Sequence, residues 1–176
     1  MKTATPDIHV GTQVQPPVPA GGWRVDPLRS SASFSARVAG RPVRGRLPLT
    51  GGALISTSIE DSQARLVAST SALSTGIALL DRLLLGPGFL DAEVFPEISF
   101  RSEMLVSVPT GWRAIGQLEV KGKEHAMACE LAVNPRDPRT ITSRWVLDSK
   151  WVTNQRVLAL SRNIAMTCSV ALEPAA

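Results

Sequence analysis

Apolar and polar residues alternate one for one along most of this chain, and turn-forming residues interrupt the alternation at short intervals. A strand sends successive side chains to opposite faces, so a period of two commits the sequence to β-structure with one face buried and one wet. From Ser31 to Val38 the pattern is strict. Ala32, Phe34, Ala36 and Val38 share one face; Ser31, Ser33, Ser35 and Arg37 share the other. Val43, Gly45, Leu47 and Leu49 alternate with Arg44, Arg46 and Pro48. Further strands are predicted over 54–59, 64–69, 98–106, 112–120, 125–133, 141–148 and 164–172. Turns are predicted at Gly51-Gly52, Glu60-Asp61, Pro109-Thr110-Gly111 and Lys121-Gly122-Lys123, with a longer loop over Asn134 to Pro138.

One segment departs from the rhythm. Thr75 to Leu85 places Ile77, Leu80, Asp81 and Leu84 at helical spacing, with Thr75 as a candidate cap and Gly86-Pro87-Gly88 as a stop. Phe89 to Pro96 reads as a compact loop, pinned by Asp91 bonding backbone N–H groups. Asp81 either belongs to the solvated face of the helix or anchors it to the strands.

About eight or nine strands at regular spacing, with one short helix, imply a mainly β domain, a sandwich or a barrel. A single antiparallel β-barrel is the expected architecture. The 176 residues suit one domain. At this size roughly 70% of the unfolded surface is buried, so no disulfide or metal staple is required.

The residues assigned to the inner faces are often small: Ala32, Ala36, Gly45, Ala64, Ala68, Ser102, Ala114 and Gly116. An eight-stranded barrel is either filled by its own side chains or holds one small ligand. Small inward residues leave volume that an occupant could fill, and the near absence of ionisable groups makes that occupant mostly hydrocarbon. A flattened barrel, or one plugged by the helix, is the alternative.

Other classes fit poorly. Of 19 basic residues, 15 are Arg, but they are scattered singly apart from Arg41, Arg44 and Arg46, and Tyr is absent. Nucleic-acid binding asks for a concentrated basic stripe with exposed aromatics. Cys129 and Cys168 sit in alternating apolar runs and read as buried hydrophobes; two cysteines do not make a zinc site. Of two histidines, His9 lies in a Pro-rich arm and His125 beside a turn. No Gly-x-Ser-x-Gly elbow is present, and Asp91 and Glu93 sit in a loop that gives no sign of a catalytic carboxylate pair. No catalytic residue, metal or cofactor is therefore expected. Residues 1–22 are expected to form a loosely ordered arm ahead of a barrel domain over 23–173. No signal peptide or integral membrane segment is read, so a cytoplasmic location is expected.

Several motifs resemble the YceI-like family. Trp23-Arg24-Val25-Asp26-Pro27 with Ser30 is similar to its opening, and Ser71, Leu73, Ser74 and Thr75 to its stretch before the helix. Phe89-Leu90-Asp91 through Pro96-Glu97-Ile98-Ser99-Phe100-Arg101-Ser102 resembles its signature Phe-x-Asp-x-x-x-x-Pro-x-Ile-x-Phe-x-Ser. Arg29 and Val38 stand where the family pattern has histidines. The resemblance implies a lipocalin-like barrel enclosing a long isoprenoid lipid, of polyprenyl or isoprenoid-quinone type, for carriage, storage or sequestration without catalysis. The residues expected to line it are Phe34, Leu73, Ile77, Leu80, Leu84, Phe89, Phe95, Phe100, Trp112 and Met127. The competing reading is a structural or partner-binding barrel with a packed interior. A homodimer and transient membrane contact are compatible with either.

Overall fold

The computed structural model describes residues 18–57, 61–109, 111–153 and 159–176. Ten strands appear in chain order: β1 (Gly21–Val25), β2 (Ser31–Val38), β3 (Arg41–Arg46), β4 (Leu49–Ser56), β5 (Gln63–Ser69), β6 (Glu97–Val108), β7 (Gly111–Val120), β8 (Lys123–Asn134), β9 (Asp137–Asp148) and β10 (Asn163–Pro174). One helix, α1 (Ala78–Leu85), lies between β5 and β6.

All strands belong to one antiparallel sheet that closes on itself through β1 and β10. The ring has eight positions, because two staves are each broken in two. β10 pairs with β1 over Leu172–Pro174 and with β2 over Ala165–Ser169, on the same edge. β4 correspondingly pairs with β1, and β3 with β2. The breaks fall at prolines, which cannot donate to a ladder. Before Pro27, the Asp26 carboxylate accepts the Leu28 N–H at 3.0 Å and turns the chain. At Pro48 only the carbonyl is used, accepting the Ser69 N–H at 2.8 Å. The expected single antiparallel barrel with one short helix is therefore the observed fold.

Local departures from the expected elements have physical causes. Gly51-Gly52 is not a turn but the interior of β4, beside a register shift between Leu49 and Gly51. Gly52 has φ +155°, and a Cβ there would stand 2.3 Å from the Arg65 carbonyl oxygen, so the glycine permits close strand approach. The loop expected at 134–138 is a tight turn: the Asn134 side chain accepts the Arg136 N–H at 3.0 Å, and β9 starts at Asp137. The Lys121-Gly122 turn is as expected, with both residues at positive φ. β1 starts at Gly21, inside the expected arm, and Val18 is buried. The rest of that arm, with His9, lies outside the described residues, as do Glu60 and Thr110 of the expected turns.

The helix begins three residues later than expected. Thr75 does not cap it directly. Its Oγ1 accepts the Ile77 N–H at 3.2 Å and donates to Asp81 at 2.5 Å. Asp81 also accepts the Thr75 N–H at 2.7 Å and the Ser74 hydroxyl at 3.1 Å. Ser74 is itself bridged to Arg46 of β3 by paired backbone hydrogen bonds. Asp81 is thus the anchor of the helix, not part of its solvated face. In the following loop it is the Asp91 carbonyl, on left-handed backbone, that accepts the Val94 and Phe95 N–H groups.

Candidate functional site

Inward side chains of the barrel form one large apolar cluster at the end capped by α1, and two smaller ones toward the other end. Phe100, Met127 and Trp145 pack against the large cluster and one small cluster; Leu66 and Val170 bridge to the other. These five side chains make a waist across the barrel.

A cavity lies on each side of the waist. The first, about 70 Å³, is lined only by apolar residues. Leu73, Leu84, Phe89 and Leu90 enter it from the segment around α1, Val38 and Val43 from the β2–β3 hairpin. The second, about 100 Å³, has Leu54, Leu66, Phe100, Leu131 and Leu172 in its wall, with the hydroxyls of Ser62, Ser102 and Ser143. The first wall offers nothing to a polar guest and the second only these hydroxyls and Arg65, so both favour a mostly hydrocarbon one.

Both cavities are smaller than the count of small inward residues suggests, because glycine marks close approach as well as vacancy. The ring of Phe34 lies over Gly45. A Cβ on Gly116 would fall 2.1 Å from the Arg101 carbonyl oxygen, where β6 bulges toward β7 between Ser102 and Met104.

Of the ten residues expected to line the interior, Phe34, Leu73, Leu84 and Phe89 meet in the first cavity, and Phe100 lines the second. Leu80 and Met127 pack into the core but touch neither cavity. Trp112 packs against the small cluster of Leu105, Ala114 and Cys129. Phe95 is set beside Gly122, a Cβ of which would be 3.1 Å from its ring. Ile77 is 54% exposed, because it precedes the first helical turn and points away from the barrel. The residues missed include Leu147, Val152, Ile164 and Met166, while Trp145, whose place in the alternation already puts it on an inner face, joins them. Ile164 and Met166 were visible in the period of β10. Val152 sits after a 3-10 turn over Ser149–Trp151 that carries no strand signal.

Titratable groups stand at the margins. His125 stacks on Trp151 with ring centroids 4.4 Å apart, and its Nε2 is buried without a partner among the described residues. Burial, and secondarily the charge of Lys123, lowers its pKa. Cys129 and Cys168 are buried free thiols. Burial, then the neighbouring Cys168, pushes Cys129 up to about 12. Among the described residues, no three His, Cys, Asp or Glu side chains are grouped as a metal site, and no helix is long and apolar enough to cross a membrane.

A family model described as the YceI-like domain matches residues 23–168. The chain belongs to the YceI-like family. Solved structures agree in fold. BcnA of Burkholderia cenocepacia superposes with a TM-score of 0.68 at 15% identity, covering 85% of this chain and 99% of that one. A polyisoprenoid binding domain from Saccharophagus degradans gives 0.67 at 15%, covering 87% and 98%. The Campylobacter jejuni YceI protein gives 0.54 at 14%, covering 99% and 100%. At these identities the likeness is one of fold. No curated protein sequence matches the chain.

Proposed function

We propose that this YceI-like barrel, over residues 23–173, binds a long apolar isoprenoid lipid of polyprenyl or quinone type in its interior, without catalysis, for carriage, storage or sequestration. The observation that carries the reading is the cavity beneath α1, in which every lining residue is apolar. The Saccharophagus degradans domain, described as polyisoprenoid binding, shares the fold. Each buried methylene contributes about 0.8 kcal/mol, so hydrocarbon alone can supply the affinity.

Neither cavity as it stands reaches the ~150 Å³ of an apolar void that accepts benzene. A chain of several isoprene units therefore enters only if the waist side chains rotate and join the two spaces. Organic extraction of the purified protein followed by mass spectrometry tests the proposal. The expected result is a co-purified long-chain isoprenoid. An empty extract, with no uptake of an added polyprenyl compound, overturns it in favour of a packed, partner-binding barrel.

A further inference from the structure

Helix α1 is apolar nearly all round. Leu84 faces the first cavity and Leu80 packs on the core, yet Leu79 is 71% and Leu83 41% exposed on the opposite side. A helix with apolar residues on every face belongs in an apolar environment on every face. Its only charged residues are Asp81 and Arg82, and Asp81 is already taken up by Ser74 and Thr75.

The neighbouring surface is basic. β3 joins the start of the helix through the Arg46–Ser74 bridge, and it carries exposed Arg41, Arg44 and Arg46. Small outward serines stand opposite two of them, Ser35 beside Arg44 and Ser33 beside Arg46. Among the described residues, Arg24, Arg29, Arg101, Arg113 and Arg162 each have a carboxylate partner, whereas Arg41, Arg44, Arg46 and Arg82 have none. Arg37, Arg65, Arg136, Arg139 and Arg144 also lack one, but four of the nine unpaired arginines among the described residues lie on β3 and α1, beside the exposed Leu79 and Leu83.

We propose that α1 and β3 form a docking surface for a bilayer containing anionic lipids, with Leu79 and Leu83 inserted at the interface and the four arginines over the headgroups. An apolar helical face with adjacent basic residues binds such interfaces through both terms together. A second copy of the chain fits less well. A two-fold contact through Leu79 and Leu83 would set the Arg82 side chains of both copies close together with no carboxylate between them. Val43 of β3 and Leu84 of α1 line the first cavity, with Val38 and Leu73 from the adjoining β2 and pre-helix segment, so docking brings that cavity against the membrane. The surface stands whether or not the interior holds an isoprenoid.

Flotation of the full chain with vesicles of phosphatidylcholine alone, or mixed with phosphatidylglycerol, tests this. Binding is expected to the mixed vesicles only and to fall with added salt. Arg44→Gln and Arg46→Gln should each weaken it about fivefold, and the double variant Leu79→Gln/Leu83→Gln should abolish it. All of these positions are exposed, so circular dichroism and the thermal midpoint should match the parent, and the extracted lipid should be unchanged. Absence of binding, equal binding to neutral vesicles, or binding untouched by the variants overturns the proposal. So does sedimentation showing a dimer that the leucine variants dissociate. An empty organic extract overturns the isoprenoid reading and leaves this one standing.

Discussion

The ring of Phe34 lies across the backbone of Gly45 on the adjacent strand, so closely that a Cβ at 45 would stand 2.2 Å from Phe34 Cζ. The aromatic ring occupies space that the missing side chain leaves, and its other face borders the first cavity. Gly45→Ala should force the ring toward the cavity. We expect about 1–3 kcal/mol of destabilisation in denaturant titrations, the usual cost of overpacking. Lipid uptake should fall as well. A fully stable variant would show that the ring has room to move elsewhere.

Trp145 lines the first cavity and also packs against the cluster of Leu105, Ala114 and Cys129 beyond the waist. Trp145→Ala should join the two cavities at a cost of about 3 kcal/mol, the low end for loss of such a side chain from a core. Association of a fluorescent polyprenyl probe, followed by stopped flow, should become faster, because rotation at the waist is no longer needed. An unchanged association rate would place the barrier elsewhere.

His125 carries an unpartnered buried Nε2, and burial lowers its pKa from the ordinary 6.5. The unfolded chain binds this proton more readily than the folded one, so stability is full above about pH 6.5 and declines as pH falls from there through the lower folded pKa. His125→Phe keeps an aromatic ring beside Trp151 and removes both the orphaned atom and the proton. Thermal melts of the variant should lose the slope that His125 adds between about pH 6.5 and 5, above the range where the carboxylates titrate, and match or exceed the parent at neutral pH. A variant with the same acid slope would move the titration to another group.

Cys129 and Cys168 are buried, and both thiols are pushed above their usual pKa chiefly by that burial. The thiolate is the reactive species, so neither should be alkylated by iodoacetamide in the folded protein at neutral pH. Both should react once denaturant unfolds the barrel. Counting labels by intact mass, before and after unfolding, checks this; a label on the native protein would reveal an opening of the barrel wall.

Much of the barrel is legible in the order of residues, because strand periodicity is a local signal. β2 occupies the span that strict alternation marks out, and the strands from β6 to β10 begin and end within a few residues of their apolar runs. The helix and its glycine stop are legible for the same reason. Thr75 was misread as a direct cap because it reaches the helix through Asp81, a contact made six residues on. Among the candidate lining residues, Phe34, Leu73, Leu84, Phe89 and Phe100 come to the cavities, and Ile77, Leu80, Phe95, Trp112 and Met127 do not. A face assignment settles which way a side chain points. It does not settle what stands opposite.

Alternation and turn residues act over neighbours, so the order of residues alone makes this chain an antiparallel β-domain with an apolar inner face. The closed tertiary structure decided how much room that inner face leaves. Volume depends on pairs far apart in the chain: Phe34 over Gly45, the Arg101 carbonyl against Gly116, and Trp145 across the waist. Those distances exist only once β1 has met β10 and the ring has closed.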